Sequence, residues 1–405
     1  MAHRRALFVG GSMSGLFAAI RLLRDGWDVQ VFERSDVELT GRGAGIVTQP
    51  GLRAALARVG IEAERDFGVD VGRRRTLDRD GRVIAEDERP QIATSWNRLF
   101  ELLREAFPGG RYHLNRDLVG LEQGVGEVIA RFADGSREAG DVLVGADGFR
   151  SSVRGFLAPE VQPLYAGYVA WRGLLDEAVF PPSVHADVFD YFAFGLPAEE
   201  QFLGYPVAGA GNDMRPGHRR WNFVWYRPAE ERMELPRLLT DRDGCQHKIS
   251  IPPPLIAPEV VAEMRAHAAE VFAPQFAEVV RLTDQPFLQP IYDLEARRLA
   301  FGRIALIGDA AFVARPHVGA GATKAVEDAL ALTAALGGGA DVPAALARFE
   351  GERLGMGRRI VEQARRLGSY MQREFANDAE RRELMSHRSP QAVMAETALL
   401  DFLDA

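Results

Sequence analysis

The chain has 405 residues, of which 47% are hydrophobic and 26% are charged, so it is long enough to bury the cores of roughly two to three domains. Its formal net charge is −8 at pH 7, and this acidic balance argues against a nucleic-acid partner. Its single cysteine, Cys245, excludes an internal disulfide and a cysteine cage, so we expect no bound metal and a cytoplasmic, reducing environment.

The first 35 residues read as a β-α-β unit. The apolar run ALFVGG (6–11) ends in glycine, SGLFAAIRLLRDG (14–26) has apolar residues at helical spacing, and DVQVFERS (28–35) alternates as a strand. This order predicts a parallel sheet with a right-handed crossover. Basic residues before the apolar run superficially match a signal peptide, but glycines and serines interrupt it. No run approaches the ~18 apolar residues that span a bilayer, so we expect no membrane partner.

The turn of this unit, VGGSMSG (9–15), lies where a Rossmann-like domain binds a pyrophosphate, although Ser12 occupies the second glycine position. Glycines let the backbone approach the phosphates, which the helix N-terminus then stabilises. Glu33 ends the second strand, where a carboxylate can accept hydrogen bonds from both hydroxyls of an adenosine ribose. Together they predict a dinucleotide site. The alternative is an ordinary turn with a solvated glutamate.

Helix and strand patterns continue through the middle of the chain. RLFELLREAF (98–107) predicts an amphipathic helix, and strand-like segments at 127–133 and 141–146 accompany a hairpin signal, Asp-Gly at 134–135. The block from about 160 to 290 is rich in aromatic residues in short alternating runs, which predicts an antiparallel sheet.

The last quarter of the chain returns to a buried-strand pattern. RIALIG (303–308) predicts a strand that leads into a helix of small residues at about 320–336. Residues 343–374 and 391–404 are predicted to be largely helical.

Two further motifs follow apolar strands, at the position where open α/β sheets bind ligands. GADGFRSSVR (145–154) places Asp147 after one strand, and IGDAAFVARPHVGAGATKA (307–325) places Asp309 after another. Taken singly, the first could be a simple loop and the second a helix N-cap.

The three motifs, GGSMSG with its later glutamate, GADGFRSSVR and GDAAFVARPHVGAG, resemble the single-component FAD-dependent aromatic hydroxylases of the para-hydroxybenzoate hydroxylase type. The resemblance covers nearly the whole chain in the family's order. It implies non-covalently bound FAD, NADH or NADPH as the electron donor, and O₂. The implied reaction is hydroxylation of an electron-rich ring through a flavin C4a-hydroperoxide. Details such as GAGIVTQP and YAGYVAWRG favour a hydroxypyridine or related hydroxy-heterocycle as substrate.

With this resemblance, the segments predict a mixed α/β (α+β) fold: a Rossmann-like FAD-binding domain, an inserted antiparallel-sheet substrate domain and C-terminal helices. The predicted division is 1–75 (first FAD-binding part), 76–95 (substrate-domain strands), 96–160 (second FAD-binding part), 161–288 (substrate-binding domain), 289–342 (third FAD-binding part) and 343–405 (C-terminal helices).

The resemblance also implies roles for individual positions. The first turn would hold the pyrophosphate, Glu33 the ribose, Asp147 both FAD and the reduced nicotinamide, and Asp309 the ribityl chain. The loop after Asp309 would pack beside the isoalloxazine ring, and Arg42 would contact the pyrophosphate or nicotinamide. The implied cofactor-binding residues are Gly10, Gly11, Ser12, Ser14, Gly15, Glu33, Arg34, Arg42, Gly45, Asp147, Asp309, Pro316, Gly319, Ala320 and Gly321.

The chain departs from the family pattern at three places. Phe312 stands where a histidine is frequent, Thr323 where an asparagine is frequent, and Trp96 in the place of a helix-initial arginine, with Arg98 as a weak substitute. The departure at Trp96 puts the contacts of that helix with the nicotinamide and flavin chain in question.

Substrate and catalytic residues are harder to assign. His317 follows Pro316 beside the flavin, and the pair is the catalytic candidate, with His317 as base or substrate contact. The alternative is a structural histidine. Further substrate candidates are Arg172, Tyr205 and Trp225. In the strand at 221–226 alternate side chains lie on opposite faces, and the pattern leaves open which face lines a pocket.

Three functional alternatives remain at this point: an oxidase or dehydrogenase with the same FAD frame, a phenol hydroxylase, and a flavin-binding regulatory or carrier protein. Retention of the Asp147, Asp309 and Pro316 positions argues against a carrier. The resemblance is also compatible with a homodimer.

Overall fold

The computed structural model describes residues 4–40, 45–62, 67–339, 341–371, 378, 382, 385 and 387–403. In these residues the strands are β1 Arg5–Val9, β2 Asp28–Phe32, β3 Gly45–Val47, β4 Val69–Leu77, β5 Val83–Ser95, β6 Tyr112–His113, β7 Leu118–Gln123, β8 Val128–Phe132, β9 Arg137–Gly140, β10 Val142–Gly145, β11 Leu164–Asp176, β12 Phe192–Gly195, β13 Gln201–Val207, β14 Arg220–Pro228, β15 Phe287–Glu295, β16 Ala300–Phe301, β17 Ile304–Leu306 and β18 Phe312–Val313. The helices are α1 Met13–Arg24, α2 Pro50–Arg58, α3 Trp96–Ala106, α4 Ser152–Leu157, α5 Pro182–Val184, α6 Glu234–Leu238, α7 Pro258–Val271, α8 Pro274–Leu282, α9 Gly321–Leu336, α10 Val342–Gly368 and α11 Pro390–Glu396.

The first sheet is the Rossmann-like one. Among the described residues it has six strands in the order β16-β17-β10-β1-β2-β6, and β1 pairs in parallel with both β2 and β10. Its central strands are almost wholly buried, because helices cover both faces of a parallel sheet. Helix α1 packs against α9 and α3 on this sheet.

The second sheet is the predicted antiparallel one. In the described chain it has nine strands in the order β18-β15-β11-β14-β13-β12-β4-β5-β3, antiparallel except where β12 pairs with β4. One face packs on α7 and α8, through a core that includes Trp221, Phe223, Phe272 and Phe276. The other face looks towards the first sheet. The mixed α/β fold with an inserted antiparallel sheet is thus confirmed.

Two predicted domain boundaries fall inside strands of the second sheet. β4 crosses the boundary at residue 75, and β15 crosses the one at residue 288. The sequence of β4, VDVGRRRTL, hides a strand because its charged side chains interrupt the apolar alternation. The Asp-Gly hairpin at 134–135 joins β8 to β9, whereas the strand predicted at 141–146 belongs to the parallel sheet as β10.

Within the described part of the chain, none of the helices is both long and apolar enough to cross a membrane.

Candidate functional site

Two joined cavities lie where β1, β10 and β17 end, at one edge of the parallel sheet, and extend to the inner face of the second sheet. The smaller has a volume of about 230 Å³ and contains Glu33, Arg34 and Asp147. The larger has a volume of about 350 Å³ and lies between the two sheets. The residues lining both are Ser12, Trp96, Ala146 and Gly148. Together they form one trough that could hold an extended ligand, and Trp96 stands at its middle.

The first turn is shaped by glycines that no other residue could replace. Gly10 has φ of 104°, and a Cβ there would lie 2.3 Å from the carbonyl oxygen of Ala146. A Cβ on Gly15 would lie 2.1 Å from the carbonyl oxygen of Gly10. The turn therefore lies tightly against the end of β10 and opens into α1, whose N-terminal N–H groups are available to phosphate oxygens.

Glu33 is buried at the end of the smaller cavity, directly after β2. Its carboxylate accepts hydrogen bonds from the backbone N–H of Gly11 at 2.9 Å and of Ser35 at 3.0 Å. Each oxygen keeps a lone pair, so the carboxylate is held in place and can still accept from a ribose hydroxyl. Arg34 lines the same cavity. Arg42, another predicted contact, lies outside the described residues.

The carboxyl of Asp147 organises the second motif. It accepts hydrogen bonds from the Ser151 hydroxyl at 2.5 Å and from the Val153 backbone N–H at 3.1 Å. Burial raises the pKa of Asp147, against the effect of these hydrogen bonds. The neighbouring Arg154 donates to the carbonyl of Ala310 at 2.9 Å. Arg154, which the sequence did not single out, thus joins the second motif to the third.

Asp309 and the loop after it form one wall of the larger cavity. Asp309 lies just beyond β17, and its side chain is about half exposed, at 52%. Pro316, Ala320 and the glycines beside it line the same cavity. Gly319 has φ of 62°, and a Cβ there would lie 2.9 Å from Ala398. The loop therefore needs glycine at this position.

A buried ion cluster anchors this loop. Asp293, in β15, accepts from Nε of Arg315 at 3.0 Å and from Nη2 of Arg365 at 2.6 Å. Arg315 directly precedes Pro316 in the loop, while Arg365 comes from α10. The carboxylate therefore ties the loop to the second sheet and to the long C-terminal helix.

His317 lies behind the cavity wall, which corrects its prediction as a catalytic base or substrate contact. It is 1% exposed, its Nε2 lies 3.0 Å from the Tyr168 hydroxyl, and its ring centroid is 4.1 Å from that of Tyr226. Pro316 and Val318 line the cavity, but His317 does not. Burial, helped by Arg315, lowers the pKa of His317 to about 3. The geometry favours the structural alternative.

Arg172 and Tyr205 of the second sheet line the larger cavity, and Asn222 lies beside it. Nη1 of Arg172 donates to Oε1 of Gln289 at 3.0 Å, while its buried Nε has no partner in the described residues. Tyr205 lies on β13, and burial raises its pKa to about 12. Asn222 accepts from the backbone N–H of Gly45 at 3.3 Å, and its buried Nδ2 has no partner in the described chain. These groups supply unused donors beside the cavity.

Trp225 lies on the opposite face of β14, so its prediction as a substrate contact is wrong. Its indole N–H donates to Glu200 at 2.7 Å, and its ring lies edge-on to Phe272 with the centroids 4.8 Å apart. Val224 and Tyr226 line the cavity instead. Helices α7 and α8 cover the Trp225 side of β14, so the opposite face is the one that meets the cavity. The strand pattern alone could not distinguish the two faces, and for this reason Asn222 was not predicted.

The carboxyl-terminal segment closes the larger cavity, a role that no local sequence pattern indicated. Thr397 and Ala398 line the cavity. Arg74, which is fully buried, donates to the carbonyl oxygen of Met394 at 2.5 Å and to that of Thr397 at 2.9 Å. The N–H of Ala398 donates to the carbonyl of His317 at 2.8 Å. These hydrogen bonds thus hold the segment against both the second sheet and the loop at 313–321, here called the flavin-side loop.

A separate group of possible ligands lies away from the trough. Within the described residues, ligand atoms of Asp241, Cys245 and His247 lie within 4.8 Å of one another. The Asp241 carboxylate already accepts from His247 at 2.8 Å and from the backbone N–H of Asp243 and Cys245. These bonds account for the group as a structured turn.

The trough fits FAD. The dinucleotide turn, the carboxylate of Glu33 and the half-exposed carboxylate of Asp309 lie along it. The buried ammonium of Lys324 has no hydrogen-bond acceptor among the described residues. The large end is wide enough for a flat ring system beside the glycine-rich loop. These are the donors and acceptors that a diphosphate, two sugar-like chains and a flavin require.

Comparisons with known proteins agree with this geometry. The family model described as FAD binding domain matches residues 257–364, and the one described as FAD binding domain-like matches residues 165–293. The 2,6-dihydroxypyridine 3-monooxygenase of Paenarthrobacter nicotinovorans is 35% identical over 91% of each chain.

Solved structures give the same result. The 2,6-dihydroxypyridine-3-hydroxylase from Arthrobacter nicotinovorans superposes with a TM-score of 0.86 at 33% identity, covering 94% of this chain and 96% of the other. A single-substitution variant of Klebsiella pneumoniae HpxO complexed with FAD superposes with a TM-score of 0.78 at 25% identity, covering 98% of this chain and 95% of the other. FAD is therefore the cofactor of this protein, as predicted, and NADH or NADPH its electron donor. The chain belongs to the single-component FAD-dependent aromatic monooxygenases.

Proposed function

We propose that this monooxygenase hydroxylates a hydroxypyridine or a related hydroxylated N-heterocycle. The single observation that carries the proposal is the arrangement of Arg172 and Tyr205 along one side of an otherwise largely apolar cavity of about 350 Å³, with Asn222 beside them in contact with the cavity-lining Gly45. A flat ring with oxygen substituents would satisfy the unused donors and fill the apolar space. The similarity to a 2,6-dihydroxypyridine 3-monooxygenase supports the same substrate class.

The chain's own residues would bind and orient the ring. When bound, FAD supplies the hydride acceptor and the oxygen-activating centre. The guanidinium of Arg172 would stabilise a ring oxygen in its ionised form, which is the more electron-rich form, and Asn222 would donate from Nδ2 to a second oxygen or the ring nitrogen. Tyr205, with its pKa raised to about 12 by burial, would stay neutral and serve as a hydrogen-bond donor rather than as a base.

Exclusion of water is the other task of the site. The loop at 313–321 and the segment containing Thr397 and Ala398 cover the cavity from two sides. A closed cavity would protect the oxygen-activating centre from unproductive release of hydrogen peroxide.

A panel of hydroxypyridines and phenols tests the proposed substrate class. We expect hydroxypyridines to stimulate NADH or NADPH oxidation most strongly, with a product heavier by one oxygen atom in mass spectrometry. Preference for simple phenols would instead make the protein a phenol hydroxylase. Stimulated oxidation that yields hydrogen peroxide alone with every compound would contradict hydroxylation of these rings.

Site variants connect that result to the cavity. Arg172→Met and Asn222→Leu should each raise KM by about tenfold, the value of one charge-assisted hydrogen bond. Arg227→Met is the matched control. Arg227 lies on β14, as Asn222 does, but on the face away from the cavity, with its Nε 4.0 Å from Glu200. Equal effects of all three substitutions would show that the cavity face does not bind the substrate.

We also propose a cytoplasmic location, since the reaction consumes NADH or NADPH, and a homodimer, in keeping with the family resemblance. Size-exclusion chromatography with light scattering tests the oligomeric state.

A further inference from the structure

Lysine is rare in this chain, and one of its lysines is buried at the cofactor site. The sequence contains 49 Lys and Arg residues together, of which only Lys248 and Lys324 are lysines. Lys248 is exposed, whereas Lys324 is 1% exposed and lines the larger cavity. In a chain that otherwise uses arginine for positive charge, a buried lysine indicates a position where a compact ammonium is needed.

The ammonium of Lys324 has ion-pair partners but no hydrogen bond among the described residues. No acceptor in the described residues lies within hydrogen-bond distance of its Nζ. The nearest carboxylates are Asp309, at 3.6 Å, and Asp328, at 3.9 Å. Asp328 is already engaged, since it accepts from Gly308 N–H at 3.1 Å and from Nε of Arg353 at 2.9 Å. The two carboxylates compensate the charge, but leaving the three N–H donors without hydrogen bonds is costly, and the cavity is the side from which a further acceptor can reach them.

The position of Lys324 in the trough identifies that acceptor. It lies in the first turn of α9, beside Asp309, and the same cavity is lined by Ser14 of the dinucleotide turn. A cofactor that runs from that turn to the flavin-side loop must pass between these residues. A donor and an acceptor only 3.6 Å apart, Lys324 and Asp309, suit oxygen atoms of a phosphate or a polyol chain.

We propose that Lys324 is a cofactor-binding residue that donates a hydrogen bond to an oxygen atom in the ribityl–diphosphate segment of FAD. The inference rests on FAD as the cofactor and is independent of the substrate. A compact ammonium suits a position between two carboxylates and the cavity.

The two lysines permit a direct test in the wild-type protein. Apoprotein labelled with ¹³C,¹⁵N-lysine should give two side-chain signals, assigned with a Lys248→Arg variant. On titration with FAD, the Lys324 signal should shift and its ammonium protons should exchange more slowly with water, while the Lys248 signal stays in place. An unchanged Lys324 signal on saturation with FAD would overturn the proposal.

Variants supply the second test. Lys324→Met should raise the dissociation constant of FAD at least tenfold, as expected for loss of a charge-assisted hydrogen bond, while the matched Lys248→Met leaves it unchanged. Circular dichroism verifies folding of each apoprotein. If Lys324→Met binds FAD within twofold of wild type, the proposal fails.

A ³¹P spectrum of bound FAD distinguishes the two kinds of oxygen. A shift of one phosphorus signal between wild type and Lys324→Met assigns the contact to the diphosphate, and unchanged signals together with weaker binding assign it to the ribityl hydroxyls. None of the three experiments, the lysine spectra, the FAD dissociation constants and the ³¹P spectra, involves a substrate. Failure of this proposal is therefore distinguishable from failure of the proposed substrate class.

Discussion

At the scale of single residues, His317 shows how burial decides chemistry. A histidine beside a flavin-side proline has the right identity for a base, but its ring lies against Tyr168 and Tyr226 behind the cavity wall. Burial lowers its pKa to about 3, so it is neutral at physiological pH. A neutral, enclosed imidazole supports the loop and does not exchange protons with a ligand in the cavity.

The pH dependence of stability should reveal this buried histidine. In the unfolded chain His317 takes up a proton below pH 6.5, whereas in the folded chain it does so only near pH 3. Its contribution to stability is therefore complete above pH 6.5 and is lost as pH falls from 6.5 towards 3, by up to about 1.4 kcal/mol per pH unit. His317→Gln, which can keep the bond to Tyr168, should flatten the pH dependence of the free energy of unfolding in urea.

The comparison is made on apoprotein between pH 4.5 and pH 8, to separate the effect from FAD release. His218→Gln serves as control, since His218 is exposed, and it should change the slope less than His317→Gln does. Equal slopes for wild type and His317→Gln would show that His317 is not enclosed in the folded protein.

At the scale of elements, the cavity depends on two segments of largely irregular backbone that line it. The carboxyl-terminal segment around α11 is tied to β4 by Arg74, and the loop at 313–321 is tied to β15 by Asp293. In both cases one buried charged side chain fixes a stretch of irregular backbone. Such stretches have few internal hydrogen bonds, so their positions depend on these contacts.

Removal of the Arg74 contact should open the cavity. Arg74→Met leaves the carbonyls of Met394 and Thr397 without a donor, and we expect the free energy of unfolding to fall by about 2 kcal/mol. We also expect a higher KM and a larger share of hydrogen peroxide per NAD(P)H consumed, because water enters the site. The neighbouring Arg73 is exposed, so Arg73→Met is the control. Unchanged peroxide formation in Arg74→Met would refute a closing role.

Removal of the Asp293 charge should loosen the flavin-side loop. Asp293→Asn leaves the guanidinium of Arg315 buried without its counter-ion, which costs about 3 kcal/mol in comparable buried pairs. Glu295→Gln is the matched control on the same strand, since Glu295 is partly exposed and pairs with Arg358 at 3.3 Å and with Arg365 at 3.5 Å, contacts worth about 1 kcal/mol or less each. Urea unfolding of both variants, monitored by circular dichroism, measures the difference. Similar losses of unfolding free energy in Asp293→Asn and Glu295→Gln would contradict the role of Asp293 as the anchor of the loop.

At the scale of the whole molecule, the trough lies between the two large sheets. The parallel sheet contributes the phosphate turn, Glu33 and Asp309, and the antiparallel sheet contributes Arg172 and Tyr205. A ligand that contacts both sheets stabilises only the folded arrangement. The cofactor is therefore expected to act as a structural element as well as a reactant.

The apoprotein should melt at a lower temperature than the FAD-bound protein, and the melting temperature should rise with the concentration of added FAD. Free FAD at one hundred times its dissociation constant should add about 2.7 kcal/mol to the free energy of unfolding. Differential scanning calorimetry of apoprotein with increasing FAD measures the effect, and adenosine at the same concentrations is the control. A melting temperature that stays constant from zero to saturating FAD would exclude this coupling.

Much of the cofactor site could be predicted from local sequence. Gly10, Gly15, Asp147 and Asp309 lie in short motifs that directly follow apolar strands, and the parallel order of those strands brings them together without further information. The same locality made the fold class and the cofactor predictable. The individual contacts of these residues with FAD stay predictions.

The β-α-β start, the dinucleotide turn and the family are encoded locally, because each depends on residues close together in the chain. Long-range packing selects which face of β14 meets the cavity, places His317 outside it, and brings Lys324 and the carboxyl-terminal segment to it. Arg74 and Met394 are 320 positions apart, and no local pattern encodes such a contact. The physical reason is that alternation within a strand defines two faces equally well, and the packing of distant helices and segments then chooses between them.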